Sequence, residues 1–368
     1  MKNTLGNAIT LTLFGESHGP CIGAVLDGLA PGMPVDKEII RKMLEKRRPA
    51  GDISTSRVEA DEFEIVSGCF ENRTTGTPLT ILIPNKAVKS RDYDKTKDIA
   101  RPGHADFTGR MKYHGYEDFR GGGHFSGRIT AALTAAGAVF LPALLKNGIR
   151  IGTHISSLGK IEDAPFSGEE KALEKEIKDL DLKSFPVLDT EKEEGMRKEI
   201  LKAKEQHDSV GGVLETAVSG LPSGLGEPWF DSLESGISHM IFSIPAVKGI
   251  EFGAGFDLVK GYGSVFNDPF YINEKGEVRT KTNHNGGING GISNGMPVIF
   301  RTAVKPTPSI FKAQETINMK TGEKEILTLE GRHDPAVIHR AAVVQTCATA
   351  FVIADYLTIR YGTDYLTK

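Results

Sequence analysis

The 368-residue chain has few cysteines, a single tryptophan and no surplus of positive charge. Cys21, Cys69 and Cys347 are odd in number, far apart, and form no Cys-x-x-Cys pair. That argues against a disulfide framework and fits reduced thiols in a cytoplasmic protein. The net charge of −3 supplies no basic field, so no nucleic acid partner is expected. No continuous run of about 18 apolar residues suggests a membrane span, and the alternating N-terminal segment lacks the apolar centre of a secretory leader. There is no His-Glu-x-x-His, calcium loop or Cys/His ligand spacing, so no metal is expected. A phosphate-binding P-loop is missing too. Neither "GAGF" (253–256) nor "GYGSVFN" (261–267) follows a clear strand as a dinucleotide fingerprint would.

Glycine is abundant instead: 42 residues, above the usual ~7%, and clustered. With 39% hydrophobic residues the chain can bury a large core, so the clusters indicate tight turns and close backbone approach rather than disorder.

Residues 8–14 and 21–27 are β-prone runs separated by a glycine-rich turn. Asp36 suits the N-cap of a helix reaching Lys46, with Ile39, Ile40, Met43 and Leu44 on one face. Residues 60–85 read as further strands. Residues 86–125 are long, polar and rich in Arg, His and Gly, and read as an ordered active-site segment. A helix over 126–147, capped by Ser126 and kinked by Pro142, is apolar nearly all round and should be buried. Residues 168–206 suggest exposed, charged helices. Asp334 and Pro335 suit the N-cap and first position of a final buried helix. "GAVLDGLAPGMPVD" near residue 23 faintly repeats in "TAVSGLPSGLGEPWFD" near residue 216, as two copies of a strand–turn–helix unit would.

Two loops carry histidines. "GESHG" (15–19) matches the Gly-x-Ser-x-Gly of serine hydrolases, but a strand, not a helix, should follow it. The remaining alternatives are a plain turn and a turn that presents Ser17 and His18 into a site. In "ARPGHADFTGR" (100–110), His104 lies among Arg101, Arg110 and Asp106, a setting suited to proton donation to an anionic leaving group. Arginines concentrated among glycines, in "DFRGGGHFSGR" (118–128) above all, suggest a polyanionic ligand, and the glycines leave room for something flat.

Taken together, "FGESHG", "RRP", "RPGHAD", "DFRGGG", "GLGEP", "AVKGIEFG", "NHNGGINGGISNG", "KPTPS" and "GRHDP" stand in the order and spacing of the chorismate synthase family, which the chain resembles from about residue 4 to 358. The resemblance implies an α/β (α+β) fold, a β-α-β sandwich with central buried helices between two mostly antiparallel sheets. It implies one domain over residues 1–368 and a homotetramer. It also implies conversion of 5-enolpyruvylshikimate 3-phosphate to chorismate and phosphate by anti-1,4 elimination, with reduced FMN (FMNH2) as cofactor. No nicotinamide (NADP) fingerprint is evident, so an external flavin reductant is the expected partner.

By the same resemblance His18 serves the substrate phosphate as general acid, His104 stands beside the reduced flavin, and Asp334 takes part in proton removal. Ser17, Arg47, Arg128 and Arg340 fall at substrate-binding positions. Cofactor-binding positions are His124, Phe125, Ser126, Pro245, Ala246, Gly290, Lys305, Pro306, Thr307, Pro308, Ser309 and Arg332. The chain departs from the family pattern in places. "GGGHFSGR" replaces the usual GGGRSSAR, which puts a titratable cation at His124 and a phenyl ring at Phe125. "KRRPAGDISTSR" lacks one arginine between Arg48 and Arg57, Pro245 replaces an asparagine, and Ala336 replaces a cysteine. With the histidines and Asp334 kept, activity is expected. The alternatives are a silent flavin- or phosphate-binding paralogue and the serine hydrolase.

Overall fold

The computed structural model describes residues 2–49, 51–55, 60–86, 97–329 and 333–367. Ten strands form two five-stranded antiparallel sheets among these residues. The first contains β1 (Thr4–Leu5), β2 (Thr10–Gly15), β3 (Cys21–Asp27), β4 (Glu64–Ser67) and β5 (Leu79–Pro84), in the order β1-β2-β3-β5-β4. The second contains β6 (Arg150–Leu158), β7 (Ile161–Glu162), β8 (Gly212–Ser219), β9 (Val247–Phe252) and β10 (Val298–Val304), in the order β9-β10-β8-β6-β7. Short two-stranded ribbons decorate the connections.

The helices are α1 (Lys37–Arg47), α2 (Asp106–Tyr113), α3 (Thr130–Ala138), α4 (Leu141–Lys146), α5 (Glu170–Leu180), α6 (Thr190–Glu205), α7 (Leu233–Ile241) and α8 (Ile338–Tyr361), besides one helical turn at Gly263–Phe266. In each half, two adjacent strands precede a helix, α1 or α7. Next come an edge strand, an inner strand and a central helix, α3 or α8. Strands β2, β3, β5 and β4 thus correspond to β6, β8, β10 and β9. The faint repeat near residues 23 and 216 marks the central strands of the two halves, β3 and β8.

Helices α3 and α8 pack on each other between the sheets, α3 against β3 and β5, α8 against β6 and β8. They can approach closely because Gly137 faces the backbone of Cys347, whose carbonyl oxygen lies 2.0 Å from where a Cβ would stand. Gly127–Lys146 and Ile338–Tyr361 are apolar enough to cross a bilayer, yet 78% and 89% of their most apolar windows are buried inside the protein. They are the core helices that an all-round apolar composition requires. Asp355 on α8 accepts the backbone N–H groups of Asn7, Ala8 and Ile9 at 2.8–2.9 Å, which ties the start of β2 to the core. Burial still pushes its carboxyl up, against those three hydrogen bonds.

Several sequence expectations hold. Asp36 caps α1 by accepting from the N–H groups of Glu38 and Ile39, an arrangement worth about 1 kcal/mol. The charged stretch forms α5 and α6, each with one apolar edge buried. Others need correction. The helix expected over 126–147 is three pieces: a 3-10 turn at Gly127–Ile129, then α3, then α4 with Pro142 in its first turn. Proline lacks the N–H and the room to continue the preceding helix. The polar segment before it contains α2, which was not foreseen. Asp334 is not an N-cap: α8 begins at Ile338 without a side-chain cap. The Asp334 carboxylate is taken instead by the Thr55 N–H and by Arg340.

Candidate active site

Pairing of β2 with β3 sets Gly15 opposite Ile22, and the intervening turn carries Ser17 and His18. Both are buried, at 0% and 7% exposure. The Ser17 N–H donates to the Gly123 carbonyl at 3.0 Å, while its hydroxyl is buried without a partner. The serine hydrolase reading fails here, because a strand follows Ser17 where a nucleophile elbow requires a helix.

The three glycines at 121–123 form the floor of this site. All have positive φ, at 59°, 82° and 52°. The His18 ring lies on Gly121: a Cβ there would stand 2.5 Å from Cδ2 and 2.6 Å from Nε2. The His104 ring lies on Gly122, where a Cβ would stand 3.3 Å from both Cε1 and Nε2. The flat groups these glycines admit are thus the two site histidines themselves. His124 anchors the turn by donating from Nδ1 to the Gly15 carbonyl at 2.8 Å. The Phe125 ring covers Gly109 on α2 and meets Tyr113 edge-on, ring centroids 6.0 Å apart. Ser126 accepts the Arg128 N–H at 3.2 Å and caps the 3-10 turn.

His104 is oriented by its own loop. Its Nδ1 lies 2.7 Å from Asp106 Oδ1. Arg101 grips the same carboxylate, from Nε at 2.7 Å and from Nη2 at 2.7 Å. Burial pushes the Asp106 carboxyl up, but the hydrogen bonds from Arg101 and His104 win and hold it well below the ordinary carboxylate range. An ionised Asp106 fixes the ring with Nδ1–H toward it and Nε2 toward Gly122.

The arginines form a chain. Asp61, its side chain 1% exposed, bridges Arg47, at 3.1 Å, and Arg128. Burial raises the Asp61 carboxyl, and the two guanidiniums more than reverse this, so it lies below its ordinary value. Burial lowers Arg47 to about 10, with Asp61 opposing the drop and Arg340 and Arg128 adding to it, so it remains a cation at neutral pH. Arg340 donates from Nε to the Arg47 carbonyl at 2.8 Å and from Nη1 to Asp334 at 2.6 Å. The neighbouring His339 adds no charge, because burial, helped by Arg340 and Arg197, lowers it to about 3. Arg128 donates from Nε to Asn85 Oδ1 at 3.0 Å. Asn85 in turn donates from Nδ2 to the carbonyls of Glu16 and Gly19, the two ends of the His18 turn, at 3.0 and 2.9 Å.

The 305–309 segment closes the circuit. Lys305 Nζ donates to the Gly103 carbonyl at 2.6 Å, and its N–H donates to the carbonyl of Ala246, which has a φ of 76°. Thr307 donates its hydroxyl to the Asp334 carbonyl at 2.8 Å. Pro306 packs on Gly211 and Pro308 on Gly103; Ser309 is half-buried. Hydrogen bonds and short stretches of chain thus link the His104 loop, Lys305–Thr307, Asp334, Arg340, Arg47, Asp61, Arg128 and Asn85 to the His18 turn, and the glycine turn joins the two histidines. Pro245 is exposed beside this network. Gly290 sits at the tip of the Ile288–Ser293 ribbon, where Gly291 accepts the Leu233 N–H from α7. Arg332 and Arg57 lie outside the described residues. Sequence reasoning missed Asp61 and Asn85; Asp61 is buried and Asn85 half-buried, and both take arginine partners from elsewhere in the chain. No cluster of three or more His, Cys, Asp or Glu suited to a metal occurs among the described residues.

Comparisons with known proteins agree with one another. The family model for chorismate synthase matches residues 9–358. A chorismate synthase of Pyrococcus abyssi is 44% identical over 367 residues, covering 96% of this chain and 97% of that one. One of Dehalococcoides mccartyi is 45% identical over 363 residues, covering 98% of each. A crystal structure of chorismate synthase matches with a TM-score of 0.77 at 29% identity, over 98% of this chain and 94% of that chain. With this match in sequence and in fold, the chain belongs to the chorismate synthase family, carbon–oxygen lyases acting on phosphates in the shikimate pathway.

Proposed function

We propose that the protein converts 5-enolpyruvylshikimate 3-phosphate to chorismate and inorganic phosphate by anti-1,4 elimination, with reduced FMN bound at the same site. The observation that carries this reading is the pair of histidines seated on adjacent glycines, with Arg47, Arg128 and Arg340 in the network of contacts that joins their loops. A phosphate ester bearing two carboxylates needs fixed cations, and Arg47, Arg128 and Arg340 supply them on a buried frame. Fixed cations aimed at developing charge are the main source of rate enhancement in such sites.

The donor set also suits a flavin phosphate and ring. Ser17 presents a buried hydroxyl without a partner, and Arg47 keeps a buried Nε without one. His104, Ser126, Ala246, Lys305 and the 306–309 segment would hold the cofactor, with His124 and Phe125 bracing the glycine turn. Reduced FMN, when bound, would supply electron density for breaking the C–O bond to phosphate, with no net redox change.

The chain's own residues handle charge and protons. His18 donates a proton to the departing phosphate. Arg128, linked to the His18 turn through Asn85, neutralises the charge that develops there. His104, with Nδ1–H aligned by Asp106, donates a proton from Nε2 when the ring is doubly protonated. Asp334, held by Arg340 and the Thr55 N–H, serves as the carboxylate in removal of the ring proton.

The protein works as one domain over residues 1–368, in the cytoplasm, with its flavin reduced by an external donor. Three unpaired cysteines support the reducing compartment. It assembles as a homotetramer, a reading supported by aromatic side chains left in the open, including Trp229 at 85%, Phe230 at 90% and Tyr262 at 82% exposure. Light scattering giving four times the chain mass checks the assembly. The decisive experiment is anaerobic incubation with photoreduced FMN and the enolpyruvyl substrate, assayed for phosphate and chorismate. Both should form in equal amounts, and a folded protein forming neither overturns the proposal.

A further inference from the structure

We infer that Gly121 and Gly122 are positioning residues, each the seat of one histidine, so that a single turn sets the placement of both proton donors. The inference rests on the roles proposed above for His18 and His104, but its geometry stands apart from them. A glycine-rich turn before a helix ordinarily suggests an anion nest built from backbone N–H groups. Here part of that backbone is engaged within the protein. The Gly123 carbonyl accepts the Ser17 N–H, the Gly122 N–H donates to the Phe119 carbonyl, and His124 ties the turn to Gly15. The open faces of Gly121 and Gly122 are covered by imidazole rings, His18 on one and His104 on the next. Absence of Cβ atoms is therefore what lets two rings from loops 86 positions apart, at 18 and 104, reach the same short turn.

The two seats differ in tightness. A Cβ at Gly121 would stand 2.5 Å from the His18 ring and 3.1 Å from Ser17 Oγ, so the ring must leave. A Cβ at Gly122 would stand 3.3 Å from the His104 ring, a contact relieved by a few tenths of an ångström. Gly121→Ala should then cost nearly as much as losing His18, about 10²–10⁴-fold in kcat, the worth of a general acid. Gly122→Ala should cost about tenfold or less, a partial misplacement of one such group. Backbone strain is controlled by Gly115→Ala, because Gly115 also has a positive φ, 80°, but open space where its Cβ would point. That variant should turn over within about threefold of wild type, since only the modest cost of a left-handed alanine applies.

The test is a double-mutant cycle on kcat. In a His18→Ala background, Gly121→Ala has no ring left to displace, so the double variant should match His18→Ala within about threefold. Gly121→Ala in a His104→Ala background should keep its full effect. Additive losses in the first pair overturn the inference. If Gly121→Ala alone fails to fold, the double variant, which lacks the ring clash and keeps only the 3.1 Å approach to Ser17 Oγ, should fold, and its failure would also overturn the seating. A readout independent of the reaction is the set of imidazole nitrogen resonances, assigned from the two histidine variants. Gly121→Ala should move those of His18 and leave those of His104, and unchanged His18 resonances would refute the seat. If wild type releases no phosphate while the resonances move as expected, the functional reading fails and the seats stand.

Discussion

His104 Nδ1 lies 2.7 Å from Asp106 Oδ1, and Arg101 holds both oxygens of the same carboxylate. The pair is local, spanning two residues, so the loop carries the donor and its orienter together. Asp106→Asn keeps the shape but offers an amide that can present its N–H₂ to the ring. The imidazole then loses its preferred tautomer. We expect kcat to fall about 10–100-fold, a fraction of the worth of the histidine itself, with KM for substrate nearly unchanged. An unaltered kcat for both Asp106→Asn and Asp106→Ala would refute the orienting role. Because Asp106 is held below the ordinary carboxylate range, its own titration should not appear in the activity profile above about pH 4.

Asp61 stands between two buried guanidiniums, and its removal leaves them facing each other. Asp61→Ala should destabilise the protein by about 3–5 kcal/mol, the cost of stranding a buried charge. Urea denaturation checks this directly. The sign of the pH effect follows from the depressed carboxyl. Its contribution is complete above the ordinary value of 3.8 and is lost as pH falls through the folded-state value. Wild type should therefore lose stability more steeply than Asp61→Ala below about pH 4. Equal slopes in the two proteins would count against it.

How much of this was legible in the sequence depends on the range of the interaction. The strands on either side of "GESHG" and the Asp36 cap of α1 follow from local pattern, and both stand where expected. Helix α2 was invisible because its only buried residue is Gly109, so no apolar stripe announces it. Asp334-Pro335 has the local signature of a helix start, but a carboxylate beside Arg340 and the Thr55 N–H has stronger partners than a helix end. The glycine triplet could be read as permissive but not as a seat, since its occupants come from residues 18 and 104. Asp61 and Asn85 sit in ordinary-looking strand flanks, and only the folded chain sets arginines around them.

His154 offers a test of the fold away from the site. It is wholly buried on β6, with Nδ1 2.9 Å from Asp163 and Nε2 3.0 Å from Glu215. Burial opposes its charge, yet the two carboxylates outweigh burial and raise its pKa above the ordinary 6.5. A raised histidine stabilises most below that value and loses its contribution as pH climbs through the folded-state value. The urea midpoint of wild type should fall as pH rises above about 6.5, and His154→Gln should flatten that fall while starting from lower stability. A wild-type midpoint that rises over this range would overturn the assignment of a buried imidazolium.

Asn85 uses both amide N–H donors and its carbonyl oxygen to join two parts of the site. Its amide N–H₂ donates to both ends of the His18 turn, and its oxygen accepts from Arg128. Asn85→Asp preserves the acceptor and strengthens the pull on Arg128, but sets a carboxylate oxygen against the Glu16 and Gly19 carbonyls. Asn85→Ala releases both partners. If the residue matters by holding the turn, both variants should lower the single-turnover rate of phosphate release, by about tenfold or more, part of the worth of a misplaced general acid. If it matters only by aiming Arg128, Asn85→Asp should approach wild type and Asn85→Ala alone should raise KM for the phosphorylated substrate. The three hydrogen bonds favour the first outcome, because two of them go to the turn. Wild-type single-turnover rates in both variants would remove Asn85 from the machinery altogether.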